Sequence, residues 1–137
     1  MFDLRELEDA AQFVHGIMPA TPQYAWPLLA QRAGCEVWVK HENHTPTGAF
    51  KIRGGLIYLN RFKRRQRAGG GLISATRGNH GQSLALAGQR LGVPVTVVVP
   101  HGNSRDKNAA MRAFGAELLE IGHDFDMARE AAERLAV

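Results

Sequence analysis

Lys51 opens the stretch of this sequence best suited to covalent chemistry. It follows Thr45-Pro46-Thr47-Gly48-Ala49-Phe50 and precedes Ile52-Arg53-Gly54-Gly55, where Ile52, Leu56 and Leu59 recur at helical spacing. A cation in the first turn of a helix opposes the positive end of its dipole. Local rules broken without visible compensation mark places where function is expected. The gain would be chemical, because the dipole and partial burial both disfavour the ammonium form, and a neutral amine attacks a carbonyl to form a Schiff base. The alternative is an exposed surface lysine that happens to follow a turn, and position alone does not separate the two.

A second constellation, Thr76-Arg77-Gly78-Asn79-His80-Gly81-Gln82, lies between a β-rich run and a helical one. In a parallel α/β sheet this is the carboxyl end of a strand, where ligands bind. Gly78 and Gly81 let a ligand approach the backbone, and the free N–H groups at a helix start accept an anion, naturally a carboxylate or phosphate. Thr76 offers a hydroxyl to a carboxylate, and Asn79 can both donate and accept. The plain alternative is a strand-to-helix turn that uses Gly and Asn for backbone tolerance. Other candidates are weaker. His41-Glu42-Asn43-His44 is one residue short of the zinc-protease spacing and ends a strand, so a metal site is not expected. Gly69-Gly70-Gly71 precedes a strand, which suits a helix stop and neither a dinucleotide nor a P-loop fingerprint. Cys35 has no CxxC partner, and His101 and His123 fall in loops without a visible partner.

The elements that must position these residues follow from periodicity and punctuation. Asp3 and Glu6 form an N-terminal capping pattern ahead of Leu4, Leu7, Ala11 and Val14. Pro19, Pro22 and Pro27 then break the chain, so the segment around Thr21 is extended or turned. A short helix over Pro27 to Ala33 ends at Gly34, and Glu36 to His41 alternates as a strand. The helix begun near Lys51 stops at Gly69 to Gly71. Strands over Leu72 to Ala75, Val95 to Val99 and Glu117 to Ile121 each precede a helix, at Gly81 to Leu91, Ser104 to Phe114 and Phe125 to Ala136. Gly92 and Gly115 take C-cap positions. Strands joined by such helices run parallel and are covered on both faces.

Composition narrows the class. The chain has 137 residues, 45% hydrophobic and 22% charged, as in a globular domain or part of a larger one. No apolar run approaches the ~20 residues of a membrane span, and the acidic start argues against a secretory or mitochondrial leader. One cysteine allows no internal disulfide and makes a reducing cytoplasm the default. The net charge of +4 comes from Arg61, Lys63, Arg64, Arg65 and Arg67; without them the bases no longer outnumber the 13 acids. Such a patch suits the C-terminal end of a helix. No second patch or interleaved aromatics support nucleic-acid binding.

Taken together, Lys40 to Gly54 and Ala75 to Gln82 resemble the fold-type II pyridoxal-phosphate (PLP) enzymes, in particular their threonine/serine dehydratase branch. Weaker likeness extends to Thr21-Pro22 and Gly115-Ala116-Glu117. The resemblance implies an α/β fold with a three-layer parallel sheet of the tryptophan-synthase β-like class, cut short. Residues 1–60 would be the N-terminal part of a large PLP domain, and residues 61–137 an incomplete small α/β domain. It implies a Schiff base on Lys51 with Phe50 beside the cofactor, Asn79 at the cofactor's ring oxygen, and Thr76, Gly78, Asn79 and His80 around the substrate carboxylate. The implied reaction converts serine- or threonine-type hydroxy-amino acids to a 2-oxo acid and ammonia. A homodimer or higher homo-oligomer is implied, with no nucleic-acid or membrane partner. The Ile-Arg pair after Lys51 favours the dehydratase branch over cysteine-synthase and threonine-synthase types.

Two departures stand out: Thr76 replaces the usual serine, and Arg77 the usual alanine or serine. A serine there is the second proton-transfer group of the racemase relatives, so Arg77 argues against racemisation. Arg77 either holds a second substrate carboxylate, such as that of a hydroxyaspartate, or faces solvent. The family's glycine-rich phosphate loop and the side chain facing the pyridine nitrogen are not found in these residues. The 137 residues alone are therefore expected to be inactive, and a non-catalytic module binding an anion or a partner is the competing expectation.

Overall fold

The computed structural model describes residues 2–65 and 70–136. Arg67, Gly69 and Val137 lie outside the described residues. The chain divides into two compact units, Met1–Phe50 and Lys51–Val137.

The first unit holds α1 (Leu4–His15), β1 (Gln23–Ala25), α2 (Pro27–Ala33) and β2 (Trp38–Lys40), followed by a 3-10 turn over Glu42–His44. Asp3 and Glu6 close a reciprocal capping box at α1, each side chain accepting from the other's backbone N–H. Gly34 ends α2 at φ 71°, a left-handed conformation that favours glycine. β1 and β2 pair antiparallel, with Tyr24 opposite Val39. This antiparallel pair, whose strands are joined through α2, is a small sheet separate from the expected parallel one. β1 was hidden by its three-residue length and its flanking prolines. Thr21 Oγ1 donates to Glu42 Oε1 at 2.6 Å, tying the proline segment to the turn after β2.

The second unit contains α3 (Lys51–Arg65), β3 (Leu72–Ala75), α4 (Asn79–Leu91), β4 (Val95–Val99), α5 (Arg105–Ala113), β5 (Glu117–Glu120) and α6 (Phe125–Leu135). The three strands run parallel in the order β3-β4-β5, with Ser74 opposite Val97 and Val98 opposite Leu119. Alternation along β4 decides the layering. Val95 and Val97 face α4, where a Cβ on Gly88 would run into Val95 and one on Gly81 would stand 3.4 Å from Val97 Cγ1. Val98 points the other way, into a cluster with Ala128, Ala131 and Ala132 of α6. Helices therefore cover both faces, giving the expected three layers.

α4 is the innermost helix, buried continuously from Gly81 to Gly88. Its small residues let it lie between the sheet and α3, and an apolar surface all round is what an internal helix requires. α3 packs mainly on α4 and falls wholly within the second compact unit. No helix among the described residues is long and apolar enough to cross a membrane.

Candidate active site

The start of α4 is built to receive an anion. Gly78 caps the helix without a side-chain hydrogen bond, and no acidic residue occupies its first turn. The first N–H to find an acceptor in the helix belongs to Gln82, bonded to Gly78 O at 3.1 Å. The backbone N–H groups of Asn79, His80 and Gly81 precede it and are left for another guest. Thr76 is buried below them, and its Oγ1 accepts from Gly78 N–H at 3.3 Å. α4 begins two residues earlier than its apolar periodicity suggests, so Asn79 and His80 belong to its first turn.

Lys51 is the first residue of α3, as expected. Two contacts fix where it lies relative to α4. A Cβ on Gly55 would stand 2.7 Å from Ser83 Oγ and 3.0 Å from Ser83 O, so the helices approach there to backbone distance. Further along, Lys63 Nζ donates to Leu91 O at 2.6 Å. Both contacts join residues 28 apart in the sequence. The helices therefore run parallel, and Lys51 and Asn79 lie at the same end of the pair. The Lys63 contact also gives part of the basic patch a local role, since a cation at the last carbonyls of α4 complements its dipole.

His80 reports the same proximity. Packing of its ring pushes its pKa below the ordinary 6.5, and the positive charge of Lys51 pushes it the same way. His80 is exposed and lines a shallow pocket of about 170 Å³ with Tyr58, Ser74 and Leu84. The partial burial expected for Lys51 is not found. Lys51 is exposed, because the buried side of α3 is carried by Ile52, Gly55, Leu56 and Leu59. Phe50 closes the first unit and is 60% exposed. Arg77 is exposed beside buried Gly78.

The structure adds Lys107 to this group. Its Cδ and Nζ lie 2.8 and 2.9 Å from where a Cβ on Gly78 would stand, so the side chain crosses the loop. The one sequence signal for it was the signal that marked Lys51, a cation in the first turn of a helix, here behind the Ser104 N-cap. His101 and His123, expected to lack partners, face one another with ring centroids 6.1 Å apart, because His101 N–H bonds Gly122 O and joins their loops.

Comparison with known proteins decides the family. The profile described as "Pyridoxal-phosphate dependent enzyme" matches residues 16–137. The chain belongs to this family of PLP-dependent enzymes. An L-threonine ammonia-lyase of Thermotoga maritima is 33% identical over 138 residues, covering 98% of this chain and 33% of the relative. An L-threo-3-hydroxyaspartate ammonia-lyase of a Pseudomonas species is 37% identical over 110 residues, covering 80% of this chain and 34% of the relative. The crystal structure of a PLP-dependent aspartate racemase superposes with a TM-score of 0.88 at 31% identity, covering 97% of this chain and 42% of that one. The chain thus spans about a third of the length of these curated relatives.

The residues fit the family's cofactor at its reactive end. PLP presents an aldehyde, and an exposed lysine amine at the same end of the helix pair as the open start of α4 is the matching nucleophile. Lys51 would hold the aldehyde carbon, and Asn79 would stand at the ring oxygen beside it. A Cβ on Gly78 would occupy the space that the Lys107 side chain takes. A Cβ on Gly81 would meet Thr76 Cγ2 at 2.5 Å, so this glycine seats the first turn of α4 on Thr76.

Proposed function

We propose that this chain carries the Schiff-base lysine and the carboxylate loop of a PLP-dependent ammonia-lyase acting on hydroxy-amino acids of the serine/threonine type. The observation that supports this reading is the placement of Lys51 at the same end of the helix pair as the anion-accepting start of α4. The relatives named ammonia-lyases support it independently.

Each residue has a task in such a reaction. The N–H groups at the start of α4, with the Thr76 hydroxyl, bind the substrate carboxylate and so fix the Cα–H bond in one orientation. PLP, when bound, supplies the electron sink that makes that hydrogen acidic. Lys51 Nζ takes the Cα proton and can return it to the departing β-hydroxyl, which leaves with its bonding pair as water. The enamine released takes up one water as its imine, giving a 2-oxo acid and ammonia with no net oxidation. His80, held toward its neutral form, adds a hydrogen-bonding group beside the lysine without a second full charge.

Arg77 bears on the choice between elimination and racemisation. A racemase needs a second group able to exchange a proton at Cα, and a guanidinium stays protonated throughout the working range. We also assign residues 1–60, with Lys51, to the family's large cofactor domain and residues 61–137 to its small domain, in a self-associating protein of the reducing cytoplasm. In the test, PLP-loaded protein extended to the full length of its relatives, since the 137 residues alone are expected to be inactive, is given L-serine and L-threonine. Equal amounts of 2-oxo acid and ammonia are expected, with none from Lys51→Ala. Racemised amino acid without 2-oxo acid would contradict the reading.

A further inference from the structure

Lys51 is exposed and carries a long, flexible side chain, so its amine is preorganised only as well as the backbone beneath it is held. Ile52, 1% exposed, anchors that backbone on the following side. On the preceding side stand Thr45 and Thr47, both buried although Pro46 and Gly48 between and after them are exposed. Thr45 Oγ1 accepts from Ala49 N–H at 2.9 Å and donates to Ala49 O at 2.9 Å, which a hydroxyl can do at once because it has one donor and two lone pairs. Thr47 Oγ1 donates a further bond to Ala49 O at 3.3 Å. Gly48, at φ 65°, turns the chain back, and its own N–H bonds Thr45 O at 2.9 Å.

The geometry of this clamp bears on the residue that follows it. The N–H of Ala49 belongs to the peptide plane before that residue and its C=O to the plane after it, so a hydroxyl bonded to both fixes the two soft dihedrals of Ala49. Phe50 alone then separates a fixed residue from Lys51, the first residue of α3. We infer that Thr45, with Thr47 in support, is the positioning residue of Lys51: through Ala49 it holds the backbone from which the amine reaches the cofactor aldehyde. The inference rests on reading Lys51 as the Schiff-base lysine. With the backbone set in advance, only the rotamers of the lysine side chain are left to order when the bond forms, and a misplacement of about 1 Å is enough to slow a step of this kind.

Two measurements on protein extended to the full length of its relatives test this, and neither depends on turnover. Thr45→Val keeps the branched shape and loses both side-chain bonds, whereas Thr45→Ser keeps them. Hydrogen exchange at the Ala49 amide is expected to quicken by about tenfold in Thr45→Val, the effect of losing roughly one hydrogen bond, and to stay near the wild-type rate in Thr45→Ser. For the second measurement PLP is added, the lysine adduct is trapped with borohydride at successive times, and the label on Lys51 is divided by that on Lys63 at the far end of the same helix. This ratio is expected to fall by roughly three- to tenfold in Thr45→Val and to recover in Thr45→Ser, whereas a general loss of stability would act on both lysines alike. Thr47→Val removes only the longer bond and should lower the ratio by a smaller factor; it takes the place of Thr45→Val if that variant does not fold. An unchanged ratio with Lys51 still labelled, or an Ala49 exchange rate indifferent to the hydroxyl, would overturn the inference and leave the Schiff-base lysine standing. A wild type in which Lys51 takes no label would remove both.

Discussion

Replacing Gly55 by alanine tests how the two helix starts are aligned, and its effect can be worked from opposing terms. In a helix interior, alanine gains about 1 kcal/mol over glycine from propensity. Against this, the new methyl would stand 2.7 Å from Ser83 Oγ, 3.0 Å from Ser83 O and 3.2 Å from Ser83 C. The hydroxyl could rotate away, but the other two atoms are backbone of a buried helix. Overpacking of this kind costs roughly 1–3 kcal/mol, and the unyielding backbone puts it in the upper half of that range. The net expectation is a loss of about 1–2 kcal/mol. Gly54 supplies the control, since its Cβ would meet nothing within 4 Å, so Gly54→Ala should stabilise by about 0.5–1 kcal/mol. Urea unfolding at unchanged slope should separate the neighbouring variants by about 1.5–3 kcal/mol. Adding Ser83→Ala to Gly55→Ala should recover only a minor part of the loss, because the backbone contacts remain. If both glycine variants stabilised the protein equally, the close approach of α3 and α4 and the placement of Lys51 and Asn79 at one end of the pair would be refuted.

Thr76→Val keeps the shape of a buried side chain but removes the acceptor for Gly78 N–H; a stability loss of about 1 kcal/mol and a KM that rises more than kcat falls should be seen in denaturant unfolding and steady-state kinetics. His80 yields a pH signature. Its folded pKa lies below the ordinary 6.5, so between the two values the unfolded chain binds the extra proton and stability rises with pH. That contribution is complete above 6.5 and is lost as pH falls through the folded pKa. The difference in unfolding free energy between wild type and His80→Gln should therefore shrink on acidification from neutral pH, and a difference independent of pH would contradict the lowered pKa of the ring.

Much of the fold was legible because its signals are local. Asp3 with Glu6, Ser104 and Asp124 mark helix starts by side-chain caps that bond the first turn, and Gly34 and Gly92 mark ends where a left-handed residue is needed. The apolar runs of β3 and β4 show a covered sheet in the same way. The start of α4 lacks such a marker, since Gly78 has no side chain with which to cap it, and the apolar pattern becomes visible only from Gly81. The pairing of β1 with β2 is non-local and spans three exposed residues, so neither alternation nor length could announce it. The residue types of the site were legible from Lys51 and the Thr76–Gln82 segment. Their relative placement was not, because it rests on Gly55 meeting Ser83 and Lys63 meeting Leu91 across 28 residues. Lys107 was missed for the same reason: its approach to Gly78 is a contact between separate helices.

On the proposed reading, Lys51 is the residue that takes the cofactor. Borohydride reduction of the protein in the presence of PLP, followed by peptide mass mapping, measures this directly. A single phosphopyridoxyl adduct on Lys51, absent from Lys51→Ala, is the predicted result. An adduct carried mainly by Lys107 or any other lysine, with Lys51 unlabelled, would contradict it.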